Sequence, residues 1–179
     1  MPSARAAMSA NMTRTRPAAA EPTRLLPNVS AGCKPEQVRV TDSDIARIPA
    51  ANLRVPRAEF AALWTTAEQL CDDQDRRGVT DWYAGGVAAT CEWLAAAVLR
   101  PGTGPPQAAY SPATGRSARA YEELIEAECV AAEQLLARRP VPPTLRRRPG
   151  WIEGIVATLR WAWRRSASPP LEIAERDTG

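Results

Sequence analysis

The residues best suited to chemistry in this chain are arginines and tryptophans near its C-terminus. Positions 138–165 hold eight arginines, three tryptophans and a single acidic residue, Glu153. Guanidinium groups bind carboxylates and phosphates, and an exposed tryptophan can stack on a base or on a partner's side chain. This pattern is typical of binding rather than catalysis, and it predicts an acidic protein partner or a nucleic acid. The predicted binding residues are Arg138, Arg139, Arg146, Arg147, Arg148, Arg160, Trp161, Arg164 and Arg165.

The composition of the chain offers a second interpretation of the same residues. All basic residues except Lys34 are arginine, and this arginine, alanine and proline bias is typical of a high-GC genome such as that of an actinobacterium. The cluster could therefore be an ordinary solvated surface, with Trp161 covered by the N-terminal segment. A homodimer that buries Trp161 is a further alternative. A protein partner is slightly favoured over nucleic acid, and no sequence-specific DNA-reading motif stands out.

A group of carboxylates supports a competing hypothesis, that of an enzyme. The run Glu122-Glu-Leu-Ile-Glu126 has the form EExxE. It resembles the start of the all-helical MazG-like nucleotide pyrophosphohydrolases, and the resemblance implies carboxylates that hold Mg²⁺ over a triphosphate. The ExxD that follows in that family has no counterpart, because Val156 stands three residues after Glu153. Glu122, Glu126 and Glu133 line up on the outward side of a predicted helix, which favours a solvated face.

The absence of histidine removes several classes of catalytic site. Ser-His-Asp and Cys-His nucleophiles, HExxH metal sites and di-iron Glu-x-x-His pairs all require this residue, and the sequence has none. Glu92 and Glu128 fall among apolar neighbours, where we expect each to be paired internally with an arginine or an indole N–H. The sequence therefore predicts a non-enzymatic protein without a cofactor.

The four cysteines are widely spaced and form no CxxC pair. Cys71, Cys91 and Cys129 lie within predicted helices, where they are expected to act as small buried apolar residues in a reducing cytosol. No secretory signal is visible, which also favours a cytoplasmic location. Because Met8 and Met12 are alternative translation starts, no interpretation rests on residues 1–11.

Hydrophobic periodicity predicts an all-α fold, a small bundle of about four main helices that is mostly antiparallel. The second helix is apolar nearly all round, which favours a central position in the bundle over a membrane span, and its Gly85-Gly86 pair would let a neighbouring helix approach closely. A long loop should separate the second and third helices, at 100–116. The predicted helices span about 56–77, 81–99, 117–139 and 149–165.

Outside the bundle the sequence shows little periodicity. Residues 1–35 are predicted to be a disordered arm, and 36–55 a strap with a short helix or strand. Thr41 to Asp44 could cap one helical turn, whereas 37–40 alternate like a short strand. The helical domain itself should occupy 56–166, followed by a tail at 167–179.

Overall fold

The structure of the chain, a computed structural model, describes residues 40–79, 81–99 and 107–173. It is mostly helical, which confirms the predicted all-α bundle. The predicted disordered arm and the end of the tail lie outside these ranges, as does most of the possible strand at 37–40. The elements are α1 (Asp42–Arg47), a 3₁₀ turn (Ala50–Asn52), α2 (Arg57–Arg77), α3 (Tyr83–Leu94), β1 (Val98–Leu99), β2 (Gln107–Ala108), α4 (Glu122–Ala137), α5 (Pro143–Arg146) and α6 (Trp151–Ala162).

The strap contains the helical turn that its capping residues predict. The Thr41 hydroxyl accepts a hydrogen bond from the backbone N–H of Asp44, and the Asp44 carboxylate accepts one from the N–H of Thr41. This reciprocal pair satisfies two donors that a helix N-terminus leaves free. Further along the strap, the backbone N–H of Arg54 donates to the carbonyl of Ala162 at 2.8 Å. The strap therefore ends against the last turn of α6.

Helices α2 and α3 follow their sequence signals to different degrees. Helix α2 begins one residue after Pro56, the predicted first position, and it ends before Gly78, as predicted. Gly78 adopts the left-handed conformation there. By contrast, α3 ends at Leu94, several residues before the predicted position, and the chain turns through Ala96 into β1. The Asn52 side chain donates to the Leu94 carbonyl at 2.8 Å and so caps this end from the strap. Helical periodicity could not show that distant contact.

Part of the predicted loop at 100–116 is ordered in a way the sequence did not indicate. Strands β1 and β2 pair antiparallel, with Val98 opposite Ala108. After the hairpin, the Glu128 carboxylate of α4 accepts hydrogen bonds from the Ala113 N–H at 2.6 Å and from the Thr114 N–H and hydroxyl at 2.8 Å. Glu128 is buried, as predicted, but the expected arginine or indole partner was wrong. The loop backbone satisfies the carboxylate instead.

Helices α3 and α6 cross at backbone contact and form the centre of the bundle. A Cβ atom on Gly86 would lie 2.2 Å from the Trp151 carbonyl oxygen, and one on Gly154 would lie 2.3 Å from the Tyr83 carbonyl oxygen. Only glycine permits this approach. Helix α3 also packs on α2, and α6 also packs on α4. The predicted central position of the second helix is confirmed, and α6 shares that position.

The remaining composition-based expectations concern cysteines and membranes. Cys71, Cys91 and Cys129 are buried thiols that form no disulfide with one another, and their burial was predicted. Burial raises the pKa of the Cys129 thiol to about 12, so that this side chain behaves as a small apolar group. Within the part of the chain that the structure describes, no helix combines the length and apolarity that a membrane crossing requires.

Candidate functional site

Trp161 is part of the core, so its predicted exposure is wrong. Only 4% of its surface is exposed, and its ring stacks on that of Phe60 with centroids 6.4 Å apart and planes 3° from parallel. Phe60 belongs to α2. Helix α2 therefore covers α6 at Trp161, which lies outside the apolar stripe predicted for α6. A helix enclosed by several neighbours buries residues beyond a single stripe. Trp161 therefore cannot stack on a ligand in this fold.

Arg160 and Arg164 are neutralised by the acidic side of α4. An Arg164 guanidinium nitrogen lies 2.6 Å from a Glu126 carboxylate oxygen, and another lies 3.3 Å from Glu133. Arg160 contacts the same Glu133 at 2.9 Å. Glu126 stays half exposed, as expected of an outward face, but both carboxylates also bond to α6, which the sequence did not indicate. We call Glu126, Glu133, Arg160, Trp163 and Arg164 the paired end.

Aromatic contacts strengthen the charge pairing at the paired end. The Trp163 indole N–H donates to Glu126 at 3.1 Å. The pKa of Glu126 is lowered from its ordinary value, chiefly by the hydrogen bond from Arg164 and also by that from Trp163. Arg54 of the strap lies 4.3 Å from the Trp163 ring centroid and pairs with Glu122 at 2.7 Å. These groups hold α4, α6 and the strap together.

Four of the predicted arginines lie at the other end of the α4–α6 pair. Glu126 contacts Arg164 and Glu133 contacts Arg160, so the two helices run antiparallel, and the connection between them joins the end of α4 to the start of α6, opposite the end that carries Arg164. This connection contributes exposed side chains from the end of α4 and from α5. Within the described ranges, none of them forms an ion pair with a carboxylate. We call these residues the basic end: Arg138, Arg139, Arg146 and Arg147.

The local backbone determines how the basic end presents its guanidinium groups. Arg138 ends α4, and Arg139 folds back to donate to the carbonyls of Leu136 and Arg138, both at 2.9 Å. Arg146 and Arg147 lie at the end of α5, a short helix that begins at Pro143. The prolines in this connection restrict its backbone conformations.

Tryptophans also accompany the basic end, but they are not the one predicted. The Arg148 guanidinium lies 5.4 Å from the Trp82 ring centroid and 5.5 Å from that of Trp151. The two half-buried indoles meet edge to face at 6.3 Å. Trp82 was missed because it precedes α3, far away in sequence. The backbone N–H of Trp82 donates to the Pro149 carbonyl, and this contact brings Trp82 to the basic end.

The nine predicted residues therefore do not form one surface. Arg160 and Arg164 are paired, Trp161 is buried, and Arg148 lies over two indoles. Arg165 is exposed beyond the end of α6, next to the paired end. Helix α6 has 12 residues and is about 18 Å long, which separates Arg165 from Arg146 and Arg147, the residues that precede this helix. The basic end is what remains of the predicted surface.

The glutamates of the EExxE run line an open groove of about 450 Å³ together with Ala127, Val130 and Trp163. Two of the three carboxylates are already bonded to cations, Glu122 to Arg54 and Glu126 to Arg164. In the described part of the chain, no three histidine, cysteine, aspartate or glutamate side chains are placed to hold a metal ion. The groove is better suited to cationic side chains than to a magnesium–triphosphate complex.

Comparison with known proteins gives no family assignment. No protein-family model matches the chain, and neither a curated protein nor a solved structure shows significant similarity to it.

Proposed function

We propose that this chain is a non-enzymatic binding protein whose basic end docks an acidic segment of a protein partner. The observation that carries the proposal is the contrast between arginines that have carboxylate partners and those at the basic end, which have none in the described structure. An exposed guanidinium without an intramolecular partner is free to bind a carboxylate in a bidentate manner. Arg146 and Arg147 are the two residues expected to contribute most.

The aromatic residues beside the basic end support a protein interface. Tryptophan and arginine are the residues most enriched among those that dominate binding energies in protein–protein interfaces. Trp82 and Trp151 are half-buried, so each keeps part of its ring available to a partner while the core fixes the rest. Val141, which lies between Arg139 and Arg146 in the sequence, is an exposed apolar side chain.

An acidic residue beside this end favours a protein partner over nucleic acid. Asp81 directly precedes Trp82, and the Trp82 backbone N–H donates to the Pro149 carbonyl at 2.8 Å, which places Asp81 close to the basic end. A duplex presents a continuous row of phosphates, and this carboxylate would repel it. A peptide can vary the side chain that it places opposite Asp81.

The test is a binding titration of the full chain against two labelled probes, an oligo-glutamate peptide and a short duplex DNA, at several salt concentrations. We expect the peptide to bind at low ionic strength and salt to weaken it. The double variant Arg146→Glu/Arg147→Glu should weaken peptide binding by about tenfold or more. Tighter binding to the duplex, with a steep dependence on salt, would point to a nucleic-acid role instead.

Arg165→Glu is the matched control for this charge reversal. It makes the same change of charge on an exposed arginine, but next to the paired end. Binding should therefore be retained in this variant. If both reversals weaken the peptide equally, the probe responds to net charge, and the basic end is not a specific docking surface.

A further inference from the structure

The outward face of α4 has no packing partner within the described structure. Its exposed residues recur at alternating intervals of four and three, which places them in one row along the helix. Val130 stands at the middle of this row and is 41% exposed. The opposite side of the helix is buried against α6 and the core. We call the row the α4 seam: Glu123, Ala127, Val130, Gln134 and Ala137.

The two ends of the α4 seam carry opposite charges, so two copies of the seam are complementary when they lie antiparallel. Glu123 lies at one end of the seam, and Arg138 follows its other end. Val130 lies near the midpoint between the two, seven residues after Glu123 and eight residues before Arg138. If two such helices pair antiparallel about Val130, the acidic end of each therefore faces the arginine of the other. The described residues include no ion-pair partner for either Glu123 or Arg138.

Apolar side chains are also exposed on both sides of α4, one before its start and one after its end. Tyr121, just before the helix, is 54% exposed, and Val141, just after it, is 38% exposed. In the same antiparallel arrangement, each tyrosine comes to the end at which the other copy has its valine. Three of the large apolar side chains left exposed in the described structure thus lie at the centre and the two ends of one helix.

We propose that a second copy of this chain docks antiparallel along the α4 seam, with Val130 at the two-fold axis. The open groove beside the seam, between Glu123 and Trp163, receives Arg138 of the second copy. A dimer through Trp161, the alternative that the sequence suggested, is incompatible with the burial of that residue. Arg138 of the basic end takes part in this pairing, but Arg146 and Arg147 do not, so variants of those two residues distinguish the pairing from the proposed docking of an acidic partner.

The size of the α4 seam predicts how strong this association is. Helix α4 has 16 residues and is about 24 Å long, so a single helix pair buries less surface than the ~1,200 Å² of a standard stable interface. The dimer should therefore be weak and should exchange with monomers. Isologous pairing also closes after two copies, which predicts no larger assemblies.

The first experiment is sedimentation velocity of the full chain over a wide concentration range. We expect a monomer–dimer equilibrium with no larger species. Val130→Glu places two carboxylates together at the axis and should raise the dimer dissociation constant by about tenfold or more. Val79→Glu introduces the same charge at a similarly exposed valine far from α4, and should leave the equilibrium unchanged.

A charge exchange tests the antiparallel register. Glu123→Arg alone and Arg138→Glu alone should each weaken self-association by about tenfold, because each variant opposes like charges twice. An equimolar mixture of the two variants should associate again, since every facing pair is then of opposite sign. Only antiparallel pairing of these positions gives this pattern.

Circular dichroism of each variant establishes that the fold is retained. A chain that stays monomeric at every concentration would overturn the inference. So would a dimer that Val130→Glu does not weaken, or single charge variants that do not complement each other in the mixture. Arg146→Glu/Arg147→Glu should still dimerise, so that loss of peptide binding and loss of dimerisation are distinguishable.

Discussion

The paired end and the basic end of the α4–α6 helix pair show how differently the same residue type is used. At the paired end, Arg160 and Arg164 bond to Glu133 and Glu126, and the sum of charge there is close to neutral. At the basic end, Arg146 and Arg147 are exposed and meet no carboxylate in the described structure. Both sets come from one arginine-rich stretch of sequence. The difference lies in what another helix places opposite them.

Aromatic residues sharpen the same comparison. At the paired end, Trp163 is buried and directs its indole N–H to Glu126, so it reinforces an internal ion pair. At the basic end, Trp82 and Trp151 are half-buried and lie under Arg148. At the paired end, the tryptophan stabilises the packing of α4 on α6. At the basic end, part of the surface of both tryptophans stays accessible to solvent and to a binding partner.

Breaking the crossing between α3 and α6 should have the largest effect, because it positions both ends. Gly154→Ala places a Cβ 2.3 Å from the Tyr83 carbonyl oxygen, and backbone cannot move aside cheaply. We expect a loss of about 4 kcal/mol or more in the free energy of unfolding, measured by urea denaturation. Gly85→Ala is the control, since its Cβ would make an ordinary contact with the Trp151 ring at 3.4 Å. Equal stability of the two variants would contradict the close crossing.

Truncating Trp161 should be the next most damaging change and should leave the basic end intact. Trp161→Ala removes a buried ring that stacks on Phe60, which is expected to cost about 3 kcal/mol of unfolding free energy. Oligo-glutamate affinity, measured where the variant is folded, should stay the same. A selective loss of affinity without a loss of stability would restore Trp161 as a binding residue.

The fold was largely predictable because its signals are local. Pro56 and Gly78 flank the two ends of α2, and Thr41 and Asp44 cap α1. Apolar periodicity predicts each main helix. The boundaries that failed depend on distant contacts. Helix α3 ends early where Asn52 caps it from the strap, and the hairpin of β1 and β2 follows from that turn.

The candidate site was less predictable, because charge alone does not show whether an arginine is engaged. Periodicity put Glu126 and Glu133 on an outward face, but α6 lies beside that face and supplies Arg160 and Arg164. Helix periodicity likewise left Trp161 off the apolar stripe, although α2 covers it. Pairings of this kind depend on how the helices pack. A single sequence does not encode that packing in its periodicity.

Removing the acids of the paired end should convert it into a second basic end. The double variant Glu126→Gln/Glu133→Gln leaves Arg160 and Arg164 without carboxylate partners while it preserves side-chain size. Because the pairs are partly exposed, the cost in stability should be only about 1 kcal/mol. Oligo-glutamate should then bind an additional site, which Arg164→Glu removes. If titrations show no additional site, an unpaired arginine is not sufficient for binding.

The smallest predicted effect is a pH dependence that belongs to the paired end alone. The pKa of Glu126 in the folded protein lies below its ordinary value of 4.5, because Arg164 and Trp163 stabilise the carboxylate. The folded state therefore binds a proton less readily than the unfolded chain, and this group contributes stability above the unfolded pKa. That contribution is lost as pH falls through the folded pKa, that is, below about 4.5.

Urea denaturation between pH 3 and 6 measures this effect as a difference between the protein and its Glu126→Gln variant. We expect the variant to be less stable at pH 6, by under about 1 kcal/mol because Glu126 is half exposed, and the gap to close at pH 3. Added salt should narrow it, because it screens the pair with Arg164. Glu153→Gln, on the exposed side of α6, removes the same charge without breaking the pair with Arg164 and is the matched control. A gap that widens towards low pH would have the wrong sign for an ion pair and would place Glu126 in contact with something other than Arg164.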